Sequence, residues 1–304
     1  MKVPFVPAYA EDGGTFFFSG RGKTAMQVLS CEHLFYRYPG EARAVLEDIS
    51  FSVERGEWAA LLGANGSGKT TLGRLFCALL PPDDASGTLS VCGLDALREE
   101  NRYAVRRACG MVFQNPETQF AASEVGEDLA FGPRNFGVPE EEIPKRVASA
   151  LETVGLPGYE NRLLSSLSGG QKQRAALAGV LCCDPEILIC DEASSMLDAE
   201  GREAFRNVLT MLHRAGKTIL CITHDPEEAL YADRAVLLRD GKITYDGGAR
   251  RLLVSGALLR EAGIAVPPAV ALSEQMAARG VSFAGLSPEE MPLDGEELCA
   301  FLCR

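Results

Sequence analysis

A glycine-rich segment in the first quarter of the chain has the residue types and spacing of a phosphate-binding loop. It fits the pattern GxxxxGK[ST] and reads Gly63-Ala64-Asn65-Gly66-Ser67-Gly68-Lys69-Thr70. Glycines let backbone N–H groups turn toward an anion, and a following helix directs its positive N-terminus at the same anion. In this pattern the Lys69 ammonium reaches the β- and γ-phosphates of a nucleotide, and the Thr70 hydroxyl binds Mg²⁺. A chance match in a turn is the alternative, but this motif follows an apolar run and precedes a helical one.

Two adjacent carboxylates follow a second apolar run. Residues 187–190 have the composition of a buried strand and lead into Asp191 and Glu192. Asp191 is suited to hold Mg²⁺, directly or through water, and Glu192 is suited to polarise an attacking water. Strands often end in acidic turn residues, so the two carboxylates alone are a weak indication of a metal site. Together with the phosphate loop they become a strong one.

One of the three histidines occupies a position that favours a functional role. His224 follows the apolar run 218–222, which places it at the carboxyl edge of a parallel sheet, where ligands bind. We interpret it as a sensor of the terminal phosphate, with a satisfied loop histidine as the alternative. His33 and His213 lie in amphipathic contexts and are interpreted as surface or packing residues.

A second glycine-containing segment begins an alanine- and leucine-rich helix and reads Leu167-Ser168-Gly169-Gly170-Gln171. The Ser168 hydroxyl can cap that helix, and the paired glycines expose N–H groups to an anion. Taken as composition alone, the segment could be merely a good N-cap, but as a motif it is far more specific.

The apolar runs that position these groups indicate an α/β fold with a largely parallel sheet. Continuous apolar runs bounded by turns are typical of strands that are buried on both faces. A helix is predicted over residues 70–80, ending at Pro81-Pro82. The predicted strands are residues 27–31, 45–53, 58–62, 187–190 and 218–222, with a hairpin of 236–238 and 242–245.

The same patterns divide the chain into three parts. We expect residues 1–25 to be a poorly ordered leader, residues 26–254 to be the α/β domain, and residues 255–304 to be a C-terminal helical extension. Within the domain, charged helical patterns replace strands from about residue 115 to 180, which predicts an inserted helical subdomain. A helix at residues 269–278 begins the extension, and a short acidic tail follows it.

Composition and charge exclude several classes of protein. The chain has 304 residues, 46% of them hydrophobic, so it can bury a sizeable core and is not a disordered protein. Its 42 acidic and 30 basic residues give a net charge of −12, which argues against nucleic acid as a partner. The ten cysteines contain no CxxC pair and are interpreted as reduced core thiols. No transmembrane helix is expected.

Residues 167–174, LSGGQKQR, resemble the signature of ATP-binding-cassette (ABC) ATPases. Other landmarks follow in that family's order over about residues 27–250. Tyr38 resembles the aromatic residue that stacks on adenine, Gln114 the Q-loop glutamine, residues 195–198 the D-loop, and His224 the switch histidine. The resemblance implies a P-loop ABC ATPase core, with a mostly parallel sheet, an antiparallel β layer and the inserted helical subdomain.

The resemblance also implies the cofactors ATP and Mg²⁺ and a head-to-tail dimer. In such a dimer each nucleotide lies between the phosphate loop of one subunit and the signature of the other. The implied catalytic residues are Glu192, His224 and Gln114, and the implied Mg²⁺ ligands are Thr70, Gln114 and Asp191. The implied nucleotide-binding residues are Tyr38, Gly63, Asn65, Gly66, Ser67, Gly68, Lys69, Thr70, Thr71, Ser168, Gly169, Gly170, Gln171 and Asp198.

Finer details are similar to the energy-coupling factor (ECF) branch, and to its first type of ATPase. They are residues 113–120 (FQNPETQF), 127–133 (EDLAFGP), 195–202 (SMLDAEGR) and the tail around Pro267-Pro268. Ser194 stands where the family typically has Thr, and Cys190 where it has a bulkier residue, but neither change removes a catalytic group.

The ECF resemblance implies an ATPase that drives uptake of vitamins, cobalt or nickel. Its implied partners are a second ABC ATPase, identical or not, a transmembrane coupling protein and a substrate-binding membrane component. They would hold the chain at the cytoplasmic face of the membrane.

Three other functions are weighed against this one. The ATPase of a conventional ABC importer is the nearest alternative. A non-transport ABC protein that acts on ribosomes or DNA is disfavoured, because the sequence has neither a second cassette nor a long coiled-coil insertion. A regulatory module that binds nucleotide without hydrolysis is disfavoured by the joint presence of Lys69, Asp191, Glu192 and His224.

Overall fold

A computed structural model describes residues 26–82, 84–283, 286–287 and 290–303. The leader predicted for residues 1–25 lies outside these residues. The strands are β1 (Gln27–Tyr36), β2 (Leu46–Glu54), β3 (Trp58–Leu62), β4 (Ala85–Val91), β5 (Leu94–Asp95), β6 (Cys109–Val112), β7 (Ile187–Asp191), β8 (Thr218–Thr223), β9 (Arg234–Arg239) and β10 (Lys242–Gly248). The α-helices are α1 (Lys69–Phe76), α2 (Arg102–Ala108), α3 (Val125–Asn135), α4 (Ile143–Thr153), α5 (Gly169–Cys182), α6 (Ala199–Arg214), α7 (Pro226–Ala229), α8 (Ala249–Leu253), α9 (Gly256–Glu261), α10 (Pro268–Ala278) and α11 (Gly295–Leu302).

The strands form two sheets. One has the order β10-β9-β3-β8-β7-β6, with parallel pairing from β9 to β6 and β10 antiparallel at the edge. The other has the order β2-β1-β4-β5 and is antiparallel throughout. The predicted α/β class, with a mostly parallel sheet and an antiparallel β layer, is therefore confirmed.

The central parallel strands are buried on both faces, because each face packs against a different core. In β3, Ala60 and Leu62 belong to the core shared with the helices, while Ala59 and Leu61 belong to the core between the two sheets. The strands β7 and β8 alternate in the same way. Each of these strands therefore needs a continuous apolar run rather than an alternating one. Their parallel pairing brings the carboxyl ends of β3, β7 and β8 to one edge of the sheet.

Helices α3, α4 and α5 follow one another between β6 and β7 and pack on the first of these cores. A hydrogen bond joins them to the sheet, because the buried Gln173 side chain of α5 donates its Nε2–H to Phe113 O at 2.9 Å. This segment includes most of the region for which the helical subdomain is predicted. The division of the chain into three parts stays a prediction.

Some predicted elements have the wrong extent. Helix α1 ends at Phe76 rather than at residue 80, because Ala78 adopts a left-handed φ of 50° that breaks the helical backbone. Strand β1 continues to Tyr36, past an irregularity at His33, whose φ is 48°. The acidic tail at the end of the predicted helical extension contains α11, whose position was not predicted.

The chain end is held against the preceding helices by an ion pair. The Arg250 guanidinium of α8 donates hydrogen bonds to both carboxylate oxygens of Glu297, at 3.2 and 2.7 Å, and to Met291 O at 2.9 Å. This pairing holds the pKa of the Glu297 carboxyl below its ordinary value. Across the described ranges, every helix is too short or too polar to cross a membrane.

Candidate functional site

The phosphate loop joins β3 to α1 and is held by close backbone packing. A Cβ on Gly63 would meet Leu238 O of β9 and would lie 2.5 Å from Ser67 Oγ, so only glycine fits there. Gly66 and Gly68 have φ values of 81° and 106°, which favour glycine. The loop therefore needs glycine for both space and backbone conformation.

Lys69 lies under this loop and is almost fully buried, with 5% of its surface exposed. Its Nζ donates hydrogen bonds to Gly63 O at 2.6 Å and to Ala64 O at 3.0 Å. Burial lowers the pKa of the ammonium, although the nearby carboxylates of Glu192 and Asp191 oppose this shift. The buried Ser67 hydroxyl has no hydrogen-bond partner among the described residues. An ammonium and an unpartnered hydroxyl under a glycine loop fit the phosphates of a nucleotide.

Thr70 and Asp191 meet at the end of β7. The Thr70 hydroxyl donates to Asp191 Oδ1 at 2.9 Å. Burial raises the pKa of the Asp191 carboxyl, against the lowering effect of the Thr70 hydrogen bond. A hydroxyl and a carboxylate side by side are oxygen ligands of the kind that Mg²⁺ prefers, and a cation would offset the cost of burying this carboxylate.

Glu192 follows directly and adopts a strained backbone conformation, with a φ of 49°. Its N–H donates to Ile222 O of β8 at 2.8 Å, which holds the residue at the carboxyl edge of the sheet. Its Oε1 is hydrogen-bonded to His224 Nδ1 at 3.0 Å and lies 3.9 Å from Lys69 Nζ. The carboxylate is therefore fixed between a histidine and the lysine of the phosphate loop.

Two more predicted residues reach the same pocket from other elements. Gln114 lies beyond β6 and donates its Nε2–H to Ser195 Oγ at 3.2 Å, and that hydroxyl donates to Glu192 O at 2.8 Å. Tyr38 follows β1, and its hydroxyl is hydrogen-bonded to Thr71 Oγ1 at 3.1 Å. The pocket has a volume of about 470 Å³ and is lined by Tyr38, Val45, Asn65, Gly66, Ser67, Gly68, Lys69, Thr70, Thr71, Gln114, Asp191 and Glu192.

The remaining predicted residues lie at two other helix ends and are not among those that line this pocket. Ser168 caps α5 in a reciprocal arrangement with Gln171, and both Ser168 and Gly169 are exposed. The Asp198 carboxylate caps α6 by accepting from Gly201 N at 2.8 Å. Gly170, in the first turn of α5, lies close to Gly201. The prediction that the Ser168 hydroxyl caps α5 is therefore confirmed.

The sequence interpretation missed two residues of the pocket and its surroundings. Val45 lies beside Tyr38 in the pocket, and Ser195 links Gln114 to the Glu192 backbone. An isolated valine before a strand carries no chemical signal, so only the fold could identify it. Ser195 stands within the segment that resembles a D-loop, which is a signal for its position but not for this bridge.

A phosphate loop lies between a strand and a helix, two carboxylates stand at the end of another strand of the same parallel sheet, and LSGGQ stands at the start of α5, the last helix of the inserted segment. Together these features define an ABC-type ATPase. The ABC transporter family matches residues 46–195, and the chain belongs to that family. It therefore binds ATP, and the predicted activity of an ATP hydrolase is confirmed.

Relatives within this family have transport functions. The chain is 42% identical over 257 residues, 84% of its length and 91% of the relative's, to the energy-coupling factor transporter ATP-binding protein EcfA1 of Listeria monocytogenes serovar 1/2a. It is 43% identical over 255 residues, 84% of its length and 90% of the relative's, to the cobalt import ATP-binding protein CbiO of Syntrophus aciditrophicus. The resemblance to ECF transporter ATPases is thus confirmed.

A solved structure is similar over the whole of its length. It is CbiO1 of Clostridium perfringens, described as part of the ABC transporter complex CbiONQ. The TM-score is 0.70 and the identity 32%, over 82% of this chain and 99% of that one. The fold predicted from the motifs is confirmed by this similarity.

Proposed function

We propose that this chain hydrolyses Mg²⁺-bound ATP to drive an ECF-type uptake transporter, working as a head-to-tail dimer with a like ATPase. The observation that carries the proposal is the meeting of Lys69, Asp191 and Glu192 in one pocket under the phosphate loop. A module that only binds nucleotide would not need a strained carboxylate positioned by a histidine beside that lysine.

The residues of the pocket divide the chemistry among them. The Lys69 ammonium and the loop N–H groups would bind the β- and γ-phosphates, and Thr70, Gln114 and Asp191 would hold Mg²⁺. When bound, Mg²⁺ neutralises charge on the phosphate oxygens. Glu192 orients the attacking water and accepts its proton as the bond from the γ-phosphorus to ADP breaks. His224 holds the Glu192 carboxylate in place and contacts the γ-phosphate.

The signature acts on a second copy of such a site. Ser168 and Gly169 are exposed at the N-terminus of α5, and a helix N-terminus favours an anion. They are not among the residues that line the chain's own phosphate pocket. We therefore assign them, with Gly170, Gln171 and Asp198, to the nucleotide held by a partner ATPase. Tyr38 would stack on the adenine of the chain's own nucleotide.

The transmembrane coupling protein docks at the groove between α3 and the edge of the parallel sheet. Phe131 of α3 lines this groove with 54% of its surface exposed, and Val180 of α5 lines it as well. Next to it, Tyr103 is 55% exposed and packs edge-to-face on Phe136, with ring centroids 5.4 Å apart. Such an exposed aromatic patch is typical of a protein interface. Docking there places the chain at the cytoplasmic face of the membrane, where a separate membrane component selects the vitamin or metal ion.

Dimer formation in the presence of ATP tests the assignment of the signature. Glu192→Gln should bind ATP, fail to hydrolyse it and elute as a dimer in size-exclusion chromatography. Adding Ser168→Arg should leave ATP binding by the monomer intact but prevent the dimer. Adding Ser149→Arg, on the exposed side of α4, is the control and should not affect the dimer. A normal dimer in the Ser168→Arg variant would contradict the proposal.

A further inference from the structure

A cavity of about 270 Å³ lies beneath α6 and α7, apart from the nucleotide pocket. Its walls include Phe205 and Leu209 of α6 and the thiols Cys190 and Cys221 of β7 and β8, all of them buried. The residues that line the cavity do not include any that line the nucleotide pocket. Its size is sufficient for a ring system, because apolar cavities of about 150 Å³ bind benzene.

One of the residues that line the cavity carries a buried and unpaired hydrogen-bond donor. Trp58 lines it with only 3% of its surface exposed, and the indole Nε1–H has no partner within the described part of the chain. The ring is fixed edge-to-face against His213, with centroids 5.7 Å apart. A buried N–H without an acceptor is rare and costly in a folded protein. It is therefore the feature that points to an occupant with an acceptor atom.

A carboxyl group also lines this cavity. Glu228 of α7 is mostly buried, and this burial raises the pKa of its carboxyl despite the opposing hydrogen bond from Thr223. At the rim, the Arg206 guanidinium lies 4.5 Å above the centroid of the Tyr231 ring. The cavity thus combines apolar walls with an unpaired indole N–H and several carboxyl groups that can accept, of which Glu203 and Glu227 are exposed and Glu228 is mostly buried.

From these features we propose that the cavity binds a flat amino-substituted heteroaromatic molecule of one or two rings. A ring nitrogen accepts from Trp58 Nε1–H, an amino group donates to the Glu228 carboxyl, and the rings pack on Phe205 and Leu209. A purely apolar molecule would leave the indole unpaired. An anion would meet more negative than positive groups around the cavity, because four carboxyl groups (Glu203, Asp225, Glu227 and Glu228) line it against two guanidinium groups (Arg202 and Arg206). The proposal does not depend on the mechanism of ATP hydrolysis.

Trp58 provides a direct readout, because it is the single tryptophan of the chain. The ¹⁵N-labelled protein therefore gives one indole N–H signal in a proton–nitrogen correlation spectrum. Titration with unlabelled 2-aminoquinoxaline, whose ring nitrogens stay unprotonated at neutral pH, should shift that signal saturably. Indole, which has no in-plane acceptor, should bind at least tenfold more weakly. An unmoved indole signal at saturating probe would overturn the proposal and leave a cavity filled by water.

Matched variants locate the probe. Leu209→Phe narrows the cavity and should weaken binding at least tenfold, whereas Met211→Phe, on the exposed side of the same helix, should not change it. Glu228→Gln should weaken binding by a smaller factor, because the amide still accepts. Tyr38→Ala alters the nucleotide pocket and should leave probe affinity unchanged. Equal binding in Leu209→Phe and Met211→Phe, or loss of binding in Tyr38→Ala, would show that the probe does not occupy this cavity.

Discussion

Replacing Lys69 by methionine tests the phosphate site, because it removes the ammonium and keeps most of the apolar stem. In the free protein the ammonium makes two hydrogen bonds, to Gly63 O and Ala64 O. Phosphate oxygens would take over this role in the complex. A hydrogen bond to a charged group contributes about 1.5–3 kcal/mol, so two such bonds at the lower value give about 3 kcal/mol. The expected loss of ATP affinity is therefore at least about 100-fold.

Isothermal titration calorimetry with ATP and Mg²⁺ measures this change directly, and a thermal melt verifies the fold. Little loss of stability is expected, because two free-energy changes oppose each other. Removing the buried charge favours folding, and leaving the Gly63 and Ala64 carbonyls without a donor disfavours it. Lys145→Met, at an exposed position on α4, is the control and should bind ATP like the wild type. An ATP dissociation constant within threefold of wild type in folded Lys69→Met would refute the role assigned to this residue.

Three further predictions concern the loop, the metal site and the chain end. Gly63→Ala should abolish ATP binding and lower the melting temperature, because a Cβ at this position has no space. Gly179→Ala, where a Cβ on α5 meets open space, is the control and should raise the stability measured in a thermal melt by about 0.5–1 kcal/mol. Asp191→Asn should remove the Mg²⁺ dependence of ATP binding in calorimetry, yet stabilise the free protein at pH 7, because burial raises the pKa of this carboxyl and its charged form therefore opposes folding. The pairing with Arg250 lowers the pKa of the Glu297 carboxyl, so the ion pair stabilises the fold at pH values above the ordinary pKa of 4.5. This stabilisation is lost as the pH falls through the lower pKa of the folded state. Glu297→Gln should therefore flatten this part of the pH–stability curve.

The sequence identifies most of the residues that line the pocket at the glycine loop, because each motif there meets a local structural requirement. Gly63 and Gly68 are needed for space and for positive φ, and a strand that ends in Asp191 and Glu192 must present both carboxylates at the edge of the sheet. The capped helix end at Ser168 is predictable for the same reason, since it is a local structure, whereas its identification as a signature rests on the family resemblance.

Features that depend on distant packing were not predictable in this way. The exposed polar start of β4 and the short edge strand β6 become strands only by pairing with neighbours far along the chain. The residues that follow α1 are apolar and favour helix, but the left-handed turn at Ala78 ends it. The unpaired indole of Trp58 and the bridge through Ser195 require side chains from several elements to be placed together, which no pattern in one segment contains.

The rate of phosphate release by Glu192→Gln tests the central claim, hydrolysis of ATP at this site, most directly. Glutamine keeps the shape of the side chain but cannot take a proton from water. Losing a positioned base costs about 10² to 10⁴ in rate, or roughly 3 to 5 kcal/mol in the barrier. The purified variant should therefore bind ATP with wild-type affinity and release phosphate at least 100-fold more slowly than the wild-type chain at the same concentration. Phosphate release at the wild-type rate would contradict the account.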